Sequence, residues 1–223
     1  MGIVDGIINL LFPYEDMCLF CKSKVQSQKN HICTRCFRLI EFVNRPVDLR
    51  LSKVASLHYA ILYNRFVVDK LHAFKFRGQG YLHKPFGELL VHSIYNIGLD
   101  RKVDLIAFVP AHRLKESFRG YNQSKLLAKY VSEKLDIRLL DNHIFKTKWT
   151  KDQNQLDKDD RARNLKDCFE SKNIEDFKGK EILLIDDIIT TGTTMEECSK
   201  AFIESGANRV HGLALTSSRY LLC

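Results

Sequence analysis

The run Ile182-Leu183-Leu184-Ile185-Asp186-Asp187-Ile188-Ile189-Thr190-Thr191-Gly192-Thr193-Thr194 constrains this chain more than any other stretch. Its apolar start, Ile182 to Ile185, reads as a buried strand, too short for a helix. Two adjacent carboxylates follow, and then a hydroxyl-rich turn around Gly192. Beyond it, Cys198, Ala201, Phe202 and Ser205 fall on one helical stripe, with Gly206 placed to cap the C-terminus. A strand ending in acids, then a Thr/Gly turn opening a helix, suits a phosphorylated sugar. The amides of Thr191 to Thr194 at a helix N-terminus offer donors to a phosphate monoester. Gly192 permits close backbone approach, and two carboxylates can accept from neighbouring cis hydroxyls. A plain capped strand–turn–helix would explain one Asp and one Thr, but not the whole run.

Position by position, these residues resemble the 5-phosphoribosyl 1-pyrophosphate (PRPP) signature of type I phosphoribosyltransferases. The resemblance implies that Asp186, Asp187, Thr190, Thr191, Gly192, Thr193 and Thr194 bind PRPP.

A second pattern lies near the N-terminus, where Cys18-x-x-Cys21 and Cys33-x-x-Cys36 are separated by eleven residues. Two such knuckles can set four thiolates tetrahedrally around Zn²⁺. The intervening Lys22 to Ile32 has no hydrophobic period to fold by, so a metal staple is expected. The alternatives are a redox pair, or His31 in place of one thiolate. Four thiolates leave no open coordination position, which makes the expected zinc structural. Cys198 reads as helix core, Cys168 sits beside Phe169, and Cys223 is terminal.

At 223 residues the chain has room for a full domain and a small module. Asn44-Arg45-Pro46 is the expected seam, giving a four-Cys module over 1–45 and a main domain over 46–223. The net charge of +8 is uneven: residues 61–125 carry 11 basic and 5 acidic side chains, whereas 126–223 carry 16 and 17. A basic centre suits a pyrophosphate or a nucleic-acid backbone, and charge does not choose between them. Met1 to Phe12 is interrupted by Asp5 and Asn9 and lacks a cationic start, so it does not read as a secretory signal. No apolar stretch is long enough to span a bilayer, and the expected location is cytoplasmic, without membrane insertion.

Helical periods at 85–97 and 126–135, strands at 103–109 and 210–216, and the signature strand alternate in order. They predict an α/β fold, a parallel sheet flanked by helices with ligands outside the carboxyl ends of its strands. Residues 146–167, dense in charge, are expected to form a mobile loop or lid. Three more segments could handle anions. His72-Ala73-Phe74-Lys75-Phe76-Arg77-Gly78 places two cations around an aromatic and reads as a loop. The others are Val109-Pro110-Ala111-His112-Arg113 with Phe118-Arg119-Gly120-Tyr121-Asn122-Gln123, and Thr150-Lys151-Asp152-Gln153 with Leu156, Arg161, Asn164 and Phe169. His112 is open to reading as a base or as a structural loop residue.

Together with the cysteine pairs, these segments resemble the ComF/GntX family of phosphoribosyltransferase-like proteins over almost the whole chain. Lys146 and Ser117 depart from the usual family residues, in loops where an acceptor would be selected. The resemblance implies a type I phosphoribosyltransferase core and a role in natural competence, the uptake and processing of DNA for transformation. Its implied partners are PRPP with Mg²⁺, single-stranded DNA and a competence helicase. Lys75, Phe76, Arg77 and Arg119 then fall at the pyrophosphate. Three functions stay open: transfer of phosphoribose to an unknown acceptor, PRPP sensing without turnover, and single-stranded DNA binding. No residue is assigned as catalytic base.

Overall fold

The computed structural model describes residues 17–24, 31–47, 49, 51–111, 116–117, 120–147 and 167–218. A short helix α1 (Thr34–Phe37) precedes strands β1 (Phe42–Pro46) and β2 (Ser56–Ile61). Helices α2 (Arg65–Phe76) and α3 (His83–Ile97) lead to β3 (Leu105–Phe108) and α4 (Gln123–Leu135). The hairpin strands β4 (Ile144–Lys146) and β5 (Phe169–Ser171) come next, then β6 (Glu181–Ile189), α5 (Thr193–Glu204) and β7 (Arg209–Ser217).

Five strands form the main sheet in the order β1-β2-β7-β6-β3. The β2–β7, β7–β6 and β6–β3 pairs are parallel, as the alternation of strands and helices predicts, and β1 joins antiparallel at the edge. Asn44, Arg45 and Pro46, where the sequence places a seam, therefore run through a strand of this sheet. Pro46 has no amide to donate, and an edge position tolerates that. The parallel strands are apolar on both faces because helices cover both. Leu183, Ile185, Leu213 and Leu215 pack with Phe74, Phe86 and Leu127 on one side. Ile182, Leu184 and Ala214 pack with Cys198, Phe202 and Phe177 on the other. Each such side chain, fully buried, contributes about 1.5–3 kcal/mol.

The starts of α2 and α4 are set by side chains. Asn64 accepts from the Val67 amide at 3.0 Å to open α2, and Asn122 accepts from the Lys125 amide at 3.2 Å to open α4. Asn122 also donates to the Val109 carbonyl at 3.2 Å, tying α4 to the segment that follows β3. Helix α5 ends at Ser205, and Gly206 takes the left-handed conformation one residue beyond, at φ 100°.

The cysteine segment rests on this scaffold through aromatic rings. Phe20 lies 5.2 Å from Phe86, Phe86 lies 5.8 Å from Phe74, and Phe74 stacks on Tyr121 at 5.8 Å between centroids. The Tyr121 hydroxyl donates to the Phe74 carbonyl at 2.5 Å. Beside the rings, Glu88 of α3 accepts from the His31 amide at 3.3 Å, meets His31 Nδ1 at 2.5 Å, and accepts from the Tyr130 hydroxyl at 3.5 Å.

Candidate functional site

Strand β6 does not stop before its acids. It runs to Ile189 because β7 continues alongside, with Asp186 opposite Ala214, Ile188 opposite Thr216 and Ile189 opposite Ser217. Asp186 and Asp187 thus lie within the strand, not beyond its end as the apolar run suggests, and successive side chains leave on opposite faces. Their partners differ accordingly. Asp186 Oδ1 accepts from the Ser124 hydroxyl and from the Asp187 amide, each at 2.8 Å. Asp187 Oδ1 faces Lys75 Nζ at 2.9 Å, with both side chains largely removed from solvent.

Burial pushes the Asp186 carboxyl up to about 7, and the neighbouring Asp187 charge adds to the rise. The hydrogen bonds from Ser124 and from the Asp187 amide, and the Lys75 charge, pull it partly back. The site therefore holds two carboxylates in different electrostatic states, one faced by an ammonium and the other by two neutral donors.

The turn after β6 carries Thr190, Thr191 and Gly192, and α5 begins at Thr193. Gly192 has φ 81°, which disfavours any side chain, and a Cβ there would come within 2.8 Å of Leu49 Cδ1, so the Leu49 side chain would have to shift to admit one. The Thr191 and Thr193 hydroxyls meet at 2.9 Å. The first amides of α5 have no intrahelical acceptor and are oriented along the helix axis toward this turn. Glu196 in the first turn holds the covering segment, accepting from the Ser52 amide and hydroxyl at 2.8 Å and from the Lys53 amide at 3.2 Å.

Lys75, Phe76 and Arg77, expected in a loop, are the last turn of α2 and its cap. A helix sends consecutive side chains about 100° apart, so the three diverge. Lys75 reaches Asp187, Phe76 is 57% exposed, and Arg77 lies 3.7 Å from Asp69 of its own helix. The structure thus joins Lys75 to Asp187, the neighbour of Asp186 in β6, and turns Phe76 and Arg77 outward. Arg119, His112, Arg113, Phe118, Thr150, Lys151, Asp152, Gln153, Leu156, Arg161 and Asn164 lie outside the described residues, as does most of the 146–167 stretch.

Ser124 and Leu49 belong to the site, yet the motifs did not mark them. For Ser124 a signal existed: it sits two residues after the capping Asn122, at the start of a helix that meets the end of β3.

The four cysteines converge as their spacing predicts. Their sulfurs all lie within 4.8 Å of one another, and Cys21 Sγ is 3.6 Å from Cys33 Sγ. Cys33 caps α1, its sulfur accepting from the Cys36 amide at 3.4 Å. Burial pushes the Cys18 and Cys36 thiols up, so a cation is what would hold them as thiolates. Four sulfurs at this separation fit a tetrahedral Zn²⁺ site. His31 is engaged by Glu88 and is not among the converging donors.

Comparison with known proteins agrees with this architecture. The phosphoribosyl transferase domain family matches residues 123–218, from the start of α4 through β7. With its parallel sheet and its acid-then-Thr/Gly turn, the chain is phosphoribosyltransferase-like. Competence protein F of Haemophilus influenzae is 28% identical over 88% of this chain and 96% of that protein. Competence protein ComFC of Bacillus subtilis is 28% identical over 88% of this chain and 82% of that protein. DNA utilization protein YhgH of Escherichia coli K12 is 29% identical over 63% of this chain and 62% of that protein. The chain thus resembles ComF-type proteins over most of its length, and its C-terminal part matches the phosphoribosyl transferase domain family. Among solved structures, the glutamine PRPP amidotransferase of B. subtilis is similar with a TM-score of 0.39 at 19% identity, over 59% of this chain and 25% of that one. No helix among the described residues is long and apolar enough to cross a membrane.

Proposed function

We propose that this protein binds PRPP and transfers its phosphoribosyl group to an acceptor, with release of pyrophosphate, in the handling of incoming DNA. The observation that carries the reading is that Asp186 and Asp187 lie in the strand that leads into the Gly192 turn, with Lys75 against the second acid. In this reading the Thr190–Thr194 turn holds the 5-phosphate through its amides and hydroxyls, and the two carboxylates accept from the ribose hydroxyls. Lys75 stands beside the carboxylates, where the anomeric diphosphate leaves. The acceptor's lone pair attacks C1 as the C1–O bond breaks, pyrophosphate departs with the bonding electrons, and the acceptor sheds its proton. Bound Mg²⁺ supplies charge neutralisation on the diphosphate. Zinc at Cys18, Cys21, Cys33 and Cys36 is structural, in a short N-terminal segment that leads into the edge strand β1 of the phosphoribosyltransferase-like sheet.

The DNA setting comes from the relatives, whose names speak of competence and DNA utilization. Single-stranded DNA and a DNA-processing helicase are the partners this setting implies, and the cytoplasm is the compartment.

Calorimetric titration with PRPP and Mg²⁺ tests the reading. Saturable binding by the wild type, lost in the Asp186→Asn/Asp187→Asn double variant with its fold and metal content intact, is the expected result. Absence of binding by the wild type, or undiminished binding by the variant, overturns it.

A further inference from the structure

The two acids of the site are not equivalent, and the difference lies in Lys75. Its amine sits 2.9 Å from Asp187 Oδ1, with the Lys75 side chain 17% exposed and that of Asp187 11%. Asp186 is instead held by the Ser124 hydroxyl and a backbone amide, both neutral donors. Lys75 is also the cation that this helix end delivers inward, since Arg77 is 63% exposed and faces Asp69.

An ammonium can only donate, and a buried carboxylate facing one is already neutralised. A sugar hydroxyl offered to Asp187 must therefore compete with Lys75. Pulling the pair apart is costly unless another anion takes over the ammonium as the hydroxyl takes over the carboxylate. A ribose bearing a diphosphate at C1 brings both groups at once, whereas a ribose with a free anomeric hydroxyl brings one.

We propose that Lys75 is a specificity-determining residue that exchanges Asp187 for the anomeric diphosphate of the ligand, so that the grip of Asp187 on the ribose is conditional on that anion. The inference rests on the PRPP-binding reading and deepens it: the discrimination is between PRPP and ribose 5-phosphate, two ligands that share the 5-phosphate and the cis-diol. Selection arises from an interaction the poorer ligand cannot replace, not from added contacts alone. The exchange keeps the count of paired charges constant, which an enclosed site demands.

The experiment is calorimetric titration of the full chain with PRPP and, separately, with ribose 5-phosphate. Both are run with Mg²⁺ at pH 8. The variants are Lys75→Met and Lys75→Arg, each checked by circular dichroism. The expected result for Lys75→Met is PRPP affinity lowered about tenfold or more, the scale of one charged hydrogen bond, and ribose 5-phosphate affinity raised. Lys75→Arg should keep the wild-type order of preference, and it carries the test if the Met variant does not fold. Equal weakening of both ligands in the Met variant would mean that Lys75 only supports the site. Loss of PRPP affinity with ribose 5-phosphate unchanged would mean a simple anion contact without exchange. Either result, or loss of the preference in Lys75→Arg, overturns the proposal and leaves PRPP binding standing. A wild type that binds neither ligand overturns both.

Discussion

The Ser124 hydroxyl lies 2.8 Å from Asp186 Oδ1 and joins the first turn of α4 to the strand that carries the site's acids. Through it, the segment following β3 and the acids of β6 are held in one frame, because Asn122 opens the same helix and holds the Val109 carbonyl.

Removal of this hydroxyl should make Asp186 harder to ionise. The Ser124→Ala variant loses a donor that stabilises the charged carboxylate, already pushed up to about 7 by burial, so the pH midpoint of PRPP binding should move upward relative to the wild type. Binding titrations at half-unit intervals from pH 5.5 to 9 would show it. A midpoint that stays in place would mean that Asp186 is not the group being read.

The same carboxyl makes stability depend on pH with a defined sign. Its folded-state value, about 7, lies above the ordinary 3.8, so the folded state binds more protons than the unfolded chain between those limits. Its favourable contribution is complete below the lower limit and is lost as pH rises through the upper one. The Asp186→Asn variant should accordingly melt above the wild type at pH 8, with the gain shrinking as pH falls toward 4. Thermal denaturation at pH 5 and pH 8 checks the direction.

The Gly192→Ala substitution should be costly at the turn. Its φ of 81° disfavours any side chain by about 1–2 kcal/mol, and Leu49 occupies the space a Cβ needs. A variant combining Gly192→Ala with Leu49→Ala relieves the crowding and not the backbone strain. It should recover part of the melting temperature and little of the PRPP affinity.

Each of Cys18→Ser and Cys36→Ser should lose stoichiometric zinc and melt earlier, because the four sulfurs converge on one point. The Asp186→Asn/Asp187→Asn variant should retain its metal, as measured by elemental analysis of the purified proteins.

Truncation of Glu88 to Ala should loosen the cysteine segment without touching its sulfurs. The His31 amide and imidazole and the Tyr130 hydroxyl all lose their acceptor. A cost of about 1–3 kcal/mol is expected for partly buried groups left unpaired, read by denaturant melts alongside faster metal loss to a chelator.

What was legible in the sequence was local. The four-residue apolar run, the Thr/Gly turn and the helical stripe through Cys198 and Phe202 identify β6 and α5, and paired CxxC spacing identifies the sulfur cluster. What was not legible depends on residues distant in the chain. Ile188 and Ile189 are in β6 only because Thr216 and Ser217 of β7 lie opposite them, so the acids fall inside the strand and do not close it. Lys75 reads as a loop residue beside Gly78 and Gly80, yet the helix capped by Asn64 persists through Phe76. That one extra turn separates the directions of Lys75 and Arg77, which the motif presents as equals. Asn44 to Pro46 look like a linker until Tyr59 and His58 are seen across from Arg45 and Pro46.

The ring series from Phe20 through Phe86 and Phe74 to Tyr121 has a genetic consequence. Phe74 immediately precedes Lys75, so damage at the cysteine knuckles and damage at the charged pair converge on one turn of one helix. A screen scored only by loss of function would return both as a single phenotypic class. Metal content is the trait that sorts them, and second-site suppressors of cysteine-segment lesions should map to the α2–α3 rings, far from the cysteines in the linear map.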